Sequence, residues 1–311
     1  MNTIPYFDAH CDTLSRCLER DTCLWENDGQ LDLKRLSAFQ KAGQIFAIYH
    51  DSAIPVEGGL FAMCRRQQQL FDESCQRHAG VMAGCRSGAE IDAALEAGRI
   101  AAVLSVEGGE LLDCDPDKLD WAQEVGVRCV NPTWNHANAL SGSNVEDRER
   151  GLSDVGREFV RQAQKRNILL DVSHLSDPGF WDLADITQKP IVATHSNARA
   201  LCDHTRNLTD DMFRTIVQTG GVVGINFWVR FVGDTDRPAM EDLIAHIDHF
   251  MDLGGAKHLC LGGDLDGCDR LAGGMTGVQS VPKLWQALAD HGYGTAELED
   301  LFFNNLRRVL E

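Results

Sequence analysis

Residues 168–195 read ILLDVSHLSDPGFWDLADITQKPIVATH, and this stretch decides the fold. An apolar, strand-like run over Ile168–Val172 leads into Ser173 and His174, a helical pattern follows over Gly179–Ile186, and a second apolar run over Ile191–Thr194 leads into His195. Two strands joined through a helix form a βαβ unit and so a parallel pair. Each strand delivers a histidine at its carboxyl end, where α/β folds place their chemistry.

The same alternation continues outward in both directions. Strand-like runs at Tyr6–Ala9, Gln44–Tyr49, Ala101–Val106, Val127–Asn131, Val222–Asn226 and Leu259–Gly262 bring the total to eight. Helical patterns lie between and after them at Leu60–Arg77, Glu90–Ala97, Val155–Lys165, Asp211–Gln218, Met240–Leu253, Val281–Ala289 and Ala296–Leu310. Ser153 is placed to cap one of these, and Gly98 and Gly254–Gly255 supply helix stops. No linker, repeat or low-complexity stretch breaks the alternation, so residues 1–311 are expected to form one domain. Eight strands fit a single (β/α)8 TIM-like barrel with additional helices, and also a doubly wound open sheet. Polar residues at the ends of many different strands favour the barrel, because an open sheet gathers its chemistry at one switch point.

Composition narrows the function. With 43% hydrophobic residues the 311-residue chain can bury a large core, and a formal charge of −18 (29 Lys plus Arg against 47 Asp plus Glu) would repel a nucleic-acid backbone or an anionic lipid surface. No nucleic-acid or membrane partner is expected. The eleven cysteines include no C-x-x-C pair and read as reduced thiols filling the core. The opening MNTIPYFDAHCDTL lacks the basic start and long apolar stretch of a secretory signal, and no apolar run approaches a membrane span, so a cytoplasmic location is expected.

The strand ends carry the candidate chemistry. Asp8-Ala9-His10-Cys11-Asp12 puts His10 and Asp12 two apart, on one face of an extended segment. Ser105-Val106-Glu107-Gly108-Gly109 ends another strand in a carboxylate, whose two oxygens could hold two cations. His174 and His195 end the neighbouring strands quoted above, and imidazole suits zinc and similar ions. Gly262-Gly263-Asp264-Leu265-Asp266-Gly267 adds Asp264 as a candidate proton acceptor, with Asp266 and Gly267 closing the turn. Each feature alone is common in structural roles; five metal-type ligands on four strand ends point together to metal-assisted hydrolysis of an amide-like bond. A G-x-S-x-G elbow, a Rossmann fingerprint and a P-loop are all absent from the sequence.

In order and spacing these pieces resemble the membrane (renal) dipeptidase family, binuclear zinc peptidases of family M19 with an amidohydrolase-like barrel. The resemblance covers nearly the whole chain and includes Thr194-His195-Ser196, Arg206-Asn207-Leu208 and the terminal Asn305-Leu306-Arg307-Arg308-Val309-Leu310. It implies two Zn2+ ions, one on His10 and Asp12 and the other on His174 and His195, with Glu107 bridging. It assigns the acid/base role to Asp264 and the substrate carboxylate to Arg206, whose fork matches a carboxylate. A small dipeptide is the implied substrate, a C-terminal D-residue included, and a homodimer the implied assembly.

One stretch departs from the family. Where better-known members carry a histidine that stabilises the oxyanion, this chain reads Pro132-Thr133-Trp134-Asn135-His136, with Trp134 in that place. His136 two residues on, Asn135, Asn138 or the metal alone are the candidates to replace it. Two rival functions share the same sequence: a barrel hydrolase acting on another amide, a lactone or a phosphoester, and a non-catalytic peptide-binding barrel.

Overall fold

The computed structural model describes residues 4–233, 235 and 237–311. Nine parallel strands run through it in chain order: β1 (Pro5–Asp8), β2 (Lys41–Tyr49), β3 (Met82–Gly84), β4 (Ile100–Glu107), β5 (Val127–Asn131), β6 (Leu169–Asp171), β7 (Ile191–Ala193), β8 (Val222–Ile225) and β9 (Leu259–Leu261). The sheet runs β2-β1-β9-β8-β7-β6-β5-β4, and pairing of β2 with β4 from Gly43↔Ala101 to Tyr49↔Glu107 closes it into an eight-stranded barrel. The (β/α)8 reading holds and the open sheet is excluded, because β2–β4 pairing leaves the barrel no free edge.

The short β3 is an addition to the expected strands. It pairs with the first residues of β4, Met82↔Ile100 to Gly84↔Ala102, below the place where β5 takes over the same edge from Leu104 onward. Three residues flanked by turn signals carry too little periodicity to be read as a strand.

Strand alternation sorts the core into two layers. Phe7, Ile45, Ala101, Val103, Cys129, Val192, Val222 and Cys260 fill the barrel interior, where Phe303 and Leu306 of the chain's last helical segment join them. Their neighbours Tyr6, Phe46, Ala102, Leu104, Leu170, Ile191 and Val223 point outward into the ring of helices, against residues such as Phe159, Phe180 and Phe213. The last segment plugs the amino-terminal end of the barrel: the rings of Phe7 and Phe303 are 5.6 Å apart, and Asn305 Nδ2 donates to Leu259 O at 2.8 Å.

Helix starts follow the sequence signals. Ser153 accepts the Gly156 amide at 3.0 Å and caps Asp154–Lys165 as expected, and Ser87, Ser176 and Thr209 cap the helices that begin at Gly88, Asp177 and Asp210. Each such bond contributes about 1 kcal/mol. Gly98 and Gly254 stop their helices at φ +69° and +97°. Gly255 serves differently: a Cβ there would stand 2.6 Å from Phe250 O, so its role is close approach of backbone. The expected continuous helix Ala296–Leu310 is divided into Thr295–Glu299, a wide π turn over Asp300–Asn304, and Asn305–Val309. The wide turn buries Leu301, Phe302 and Phe303 together, which one α-helical stripe does not do. Among the described residues no helix is long and apolar enough to cross a membrane.

Candidate active site

The carboxyl ends of the strands bring His10, Asp12, Glu107, His174, His195 and Asp264 to one place, all of them buried. Two buried aspartates shape the loops that present them. Asp8, the last residue of β1, accepts the His10 amide and the Gly263 amide at 2.9 Å each, tying the end of β1 to that of β9. Burial pushes its carboxyl up to about 6, against those same amides, which pull it down. Asp171, the last residue of β6, accepts the amides of Ser173 at 2.9 Å and Thr194 at 3.0 Å, and the hydroxyls of both residues. The two histidine-bearing strands therefore share one anchor.

Glu107 lies at the centre. Its Oε1 is 2.9 Å from His174 Nε2 and 3.3 Å from His195 Nε2, while its Oε2 faces His10 Nε2 at 3.6 Å. His10 Nε2 is also 3.3 Å from Asp12 Oδ2 and 4.0 Å from Asp264 Oδ1. The donors form three sets, two of which share Glu107: His10, Asp12 and Glu107; Glu107, His174 and His195; and His10, His195 and Asp264.

Ring orientation is set from outside these sets. Nδ1 of His174 is 2.9 Å from Asn135 Oδ1, an acceptor, so the ring proton sits on Nδ1 and the Nε2 lone pair faces inward. His195 Nδ1 stands 2.8 Å from the Thr194 hydroxyl, whose own proton goes to Asp171, and the same result follows. Two Nε2 lone pairs then lie 3.1 Å apart, facing a carboxylate oxygen. Such electron-rich atoms repel unless a cation lies among them.

Electrostatics agree with that reading. Burial, with the positive charges of Arg206 and His10, drives His174 and His195 well below the usual histidine range and keeps them unprotonated, as ligands must be. Burial also pushes His10 down, but Glu107, Asp12 and Asp264 outweigh it and hold the imidazole at about 10. A proton on His10 is the smallest cation this carboxylate cluster can recruit. Burial raises Glu107 and Asp264 as well, with His10 opposing in both cases.

The residues fit metal ions on two further observations. Asp12 Oδ1 is buried with no hydrogen-bond partner, on the carboxylate whose Oδ2 lies 3.3 Å from His10 Nε2. Gly267 keeps the space beside it open: a Cβ there would lie 2.1 Å from Asp12 Oδ2 and 2.4 Å from Asp264 Oδ1. Asp264 itself sits in the left-handed region at φ +57°, a strained conformation that aspartate tolerates better than most residues and that aims its carboxylate inward. Asn226 Nδ2 donates to its Oδ2 at 3.1 Å.

The cluster opens into a cavity of about 400 Å³ walled by Tyr49, Trp134, His204, Arg206, Trp228 and Phe231. Arg206 is buried, its Nη2 3.1 Å from His174 Nε2 and its guanidinium 5.2 Å from the Phe231 ring. Burial lowers it to about 10, against Asp264 and Glu107, which raise it, so it remains a cation near neutral pH. Trp134 stands between Tyr49 and His174, with ring centres 4.9 and 6.1 Å away. His136 is placed elsewhere: it pairs with Asp51 at 3.1 Å and Glu146 at 3.3 Å and does not wall the cavity. Asn138 is likewise engaged by Glu110 and Pro132 O.

Sequence reading passed over several of these residues. Asn135 was weighed only as an oxyanion donor, and Asn226, Thr194, Tyr49 and Trp228 were given no function. Asp171 and Asp8 showed a usable signal, an aspartate two or three residues before a strand-end histidine. Asn226 showed none, because an asparagine ending a strand is ordinary.

Comparison with known proteins follows the same lines. The profile of the membrane dipeptidases (peptidase family M19) matches residues 1–311. A Klebsiella pneumoniae protein from the pqqA 5′ region is 35% identical over 258 residues, covering 79% of this chain and 94% of its own. The crystal structure of dipeptidase AC, a family M19 metallopeptidase, superposes with a TM-score of 0.91 at 30% identity, covering 99% of this chain and 98% of its own. A metallopeptidase from Rhodobacter sphaeroides, liganded with a phosphinate mimic of the dipeptide L-Ala-D-Ala, superposes with a TM-score of 0.90 at 29% identity, covering 99% of both chains. Fold, whole-length sequence match and the residues gathered at the barrel mouth lead to one assignment: the chain belongs to the membrane dipeptidase family, peptidase family M19.

Proposed function

We propose that this protein carries out its family's reaction, metal-dependent hydrolysis of dipeptides, at a pair of zinc ions, with Glu107 bridging between His10 and Asp12 on one side and His174 and His195 on the other. The observation that carries the reading is the position of Glu107, whose two oxygens face two separate donor sets. Nitrogen and oxygen donors of this kind suit zinc. Bound there, the ions supply Lewis acidity, making water nucleophilic near neutral pH and polarising the scissile carbonyl.

The protein's own groups do the rest. Arg206, buried in the cavity wall, pairs with the free carboxylate of the dipeptide, and this favours a peptide over a neutral amide or lactone. Asp264 takes the proton from the attacking water and returns it to the leaving amine as the C–N bond breaks. Asn226 holds that carboxylate through its Oδ2, leaving Oδ1 turned toward the cluster. Trp134 and Tyr49 wall the cavity beside His174 and exclude water from the reacting bond. The pairing of His136 with Asp51 and Glu146 supports a loop-holding role for it and not contact with substrate.

Acceptance of a C-terminal D-residue is part of the proposal, supported by the L-Ala-D-Ala mimic bound to the relative from Rhodobacter sphaeroides. We also read residues 1–311 as one catalytic unit, which assembles as a homodimer. A cytoplasmic location is supported by the eleven cysteines, all free thiols, as a reducing compartment allows. Sedimentation and cell fractionation test these last two points.

The deciding experiment is hydrolysis of a panel of L,L and L,D dipeptides before chelation, after chelation and after zinc is restored, with bound metal counted alongside. Activity that vanishes with the metal and returns at about two zinc ions per chain supports the proposal. Restored metal without cleavage of any dipeptide overturns it.

A further inference from the structure

A second, larger cavity of about 680 Å³ lies at the opposite end of the barrel. It is formed where strands begin: by Arg128 at the start of β5, by Asn167 before β6, by Lys189 before β7, by Arg86 in the turn after β3, and by Arg308 on the last helix. In a barrel enzyme this end normally serves stability. The active-site cluster stands at the far ends of the same strands, roughly 15 Å away at ~3.3 Å per residue.

Charge sets this cavity apart from the rest of an acidic molecule. Five cations line it, Arg86, Arg128, Arg166, Lys189 and Arg308, against one carboxylate, Glu311. Arg166 is neutralised by Asp120, its Nε 2.7 Å from Oδ1. Arg86, Arg308 and Lys189 donate only to neutral oxygens. Arg86 Nη1 donates to Glu124 O at 3.1 Å; Arg308 donates to Gly220 O at 2.9 Å and to Lys257 O at 2.7 Å; Lys189 Nζ donates to the Asn167 side chain. Arg128 donates to Arg86 O at 2.5 Å and to Glu311 O at 3.1 Å. Among the described residues no Asp or Glu side-chain oxygen comes within 4.0 Å of a charged nitrogen of Arg86, Arg308 or Lys189. In a chain carrying 47 acidic residues, three cations with no direct carboxylate partner, gathered with Arg128 around one cavity, are out of proportion.

The arrangement is built into the fold. Arg128 Nε is buried and has no hydrogen-bond partner. Burial lowers its guanidinium, a cost that a bound counter-charge would offset. Gly126, at φ +92°, admits the Arg86 side chain: a Cβ there would stand 2.6 Å from Arg86 Cγ. The guanidinium forks of Arg86, Arg128 and Arg308, with the ammonium of Lys189, are the donor types that recognise phosphoryl oxygens.

We propose that this cavity is a binding site for a small, multiply charged phosphate compound, separate from the peptidase centre. The volume accommodates a phosphorylated metabolite, and the four cations match an anion carrying two or more charges. The side chains of Lys189, Arg308 and Arg86 are exposed, so a ligand enters directly from solvent.

The test is calorimetric titration of the zinc-loaded protein with fructose 1,6-bisphosphate and, separately, with inorganic phosphate, at roughly 0.15 M salt so that diffuse attraction is screened. The wild type is expected to bind the bisphosphate saturably and more tightly than phosphate. The double variant Lys189→Gln/Arg308→Gln should weaken binding by about tenfold or more while hydrolysing dipeptides at the wild-type rate. Arg86→Gln, also at an exposed position, should weaken it independently. No saturable binding by the wild type overturns the proposal. So does binding that both variants leave unchanged, which would place the anion at the metal centre.

Discussion

The Thr194 hydroxyl lies 2.8 Å from Nδ1 of His195 and gives its own proton to Asp171, so one threonine sets which nitrogen of the neighbouring imidazole faces the catalytic cluster. Thr194→Val keeps the shape and removes that control. Zinc affinity is expected to fall roughly 10- to 100-fold, with the fold intact by circular dichroism. Unchanged affinity in a competition with a zinc chelator would mean that packing alone holds the ring.

Glu107 belongs to two donor sets, so on the proposed two-ion reading Glu107→Gln should unsettle both ions at once. Metal content is expected to drop well below that of the wild type, and kcat by ~10²-fold or more, because an amide brings no negative charge to the shared position. Elemental analysis of the purified variant, with dipeptide turnover measured in excess zinc, separates loss of metal from loss of chemistry.

Asp264 lies at the edge of the cluster with Oδ1 4.0 Å from His10 Nε2. Asp264→Asn is expected to retain metal and lose ~10²–10⁴-fold in kcat, since an amide cannot accept a proton. A variant with wild-type kcat would show that the proton travels by another route.

Arg206 is a buried cation in the wall of the cavity beside the cluster. Arg206→Ala should raise KM for dipeptides by roughly ten- to a thousandfold, the loss of one charge-assisted bond and the exposure of its site. Dipeptide amides, which lack the carboxylate, should be poor substrates of the wild type and nearly indifferent to the change. Equal effects on acids and amides would assign Arg206 to His174, which it also touches, and not to the substrate.

His246 offers a pH dependence away from the metal ligands. Its Nε2–H donates to Val232 O at 2.9 Å, and its Nδ1 accepts the Ala198 amide at 3.1 Å, a bond that only the neutral ring can make. Burial holds its pKa below 6.5 in the folded protein. The unfolded chain therefore takes up the proton first as pH falls; this contribution to stability is complete above about 6.5 and is lost toward the lower folded value. Urea midpoints measured between neutral and mildly acid pH should fall for the wild type and fall less steeply for His246→Gln. Parallel curves would remove His246 from the account.

What is local and periodic can be read directly from the residues. Apolar runs of strand length, helix caps such as Ser153 and stops such as Gly98 are written within a few residues of where they act, and so are the ligands at strand ends. Eight βα units and the candidates His10, Asp12, Glu107, His174, His195, Arg206 and Asp264 were legible for that reason. The remaining features depend on closure of the barrel. The pairing of β1 with β9 brings together residues as distant in the chain as Asp12 and Asp264, and the pairing of β2 with β4 closes the ring in which Glu107 faces two donor sets. Asn135 and Asn226 became partners of His174 and Asp264 only through that convergence, and His136 was drawn to Asp51 and Glu146. The basic cavity at the other end follows the same logic: Arg86, Arg128, Lys189 and Arg308 are scattered along the sequence, and only a closed ring of strands gathers their charges around one space.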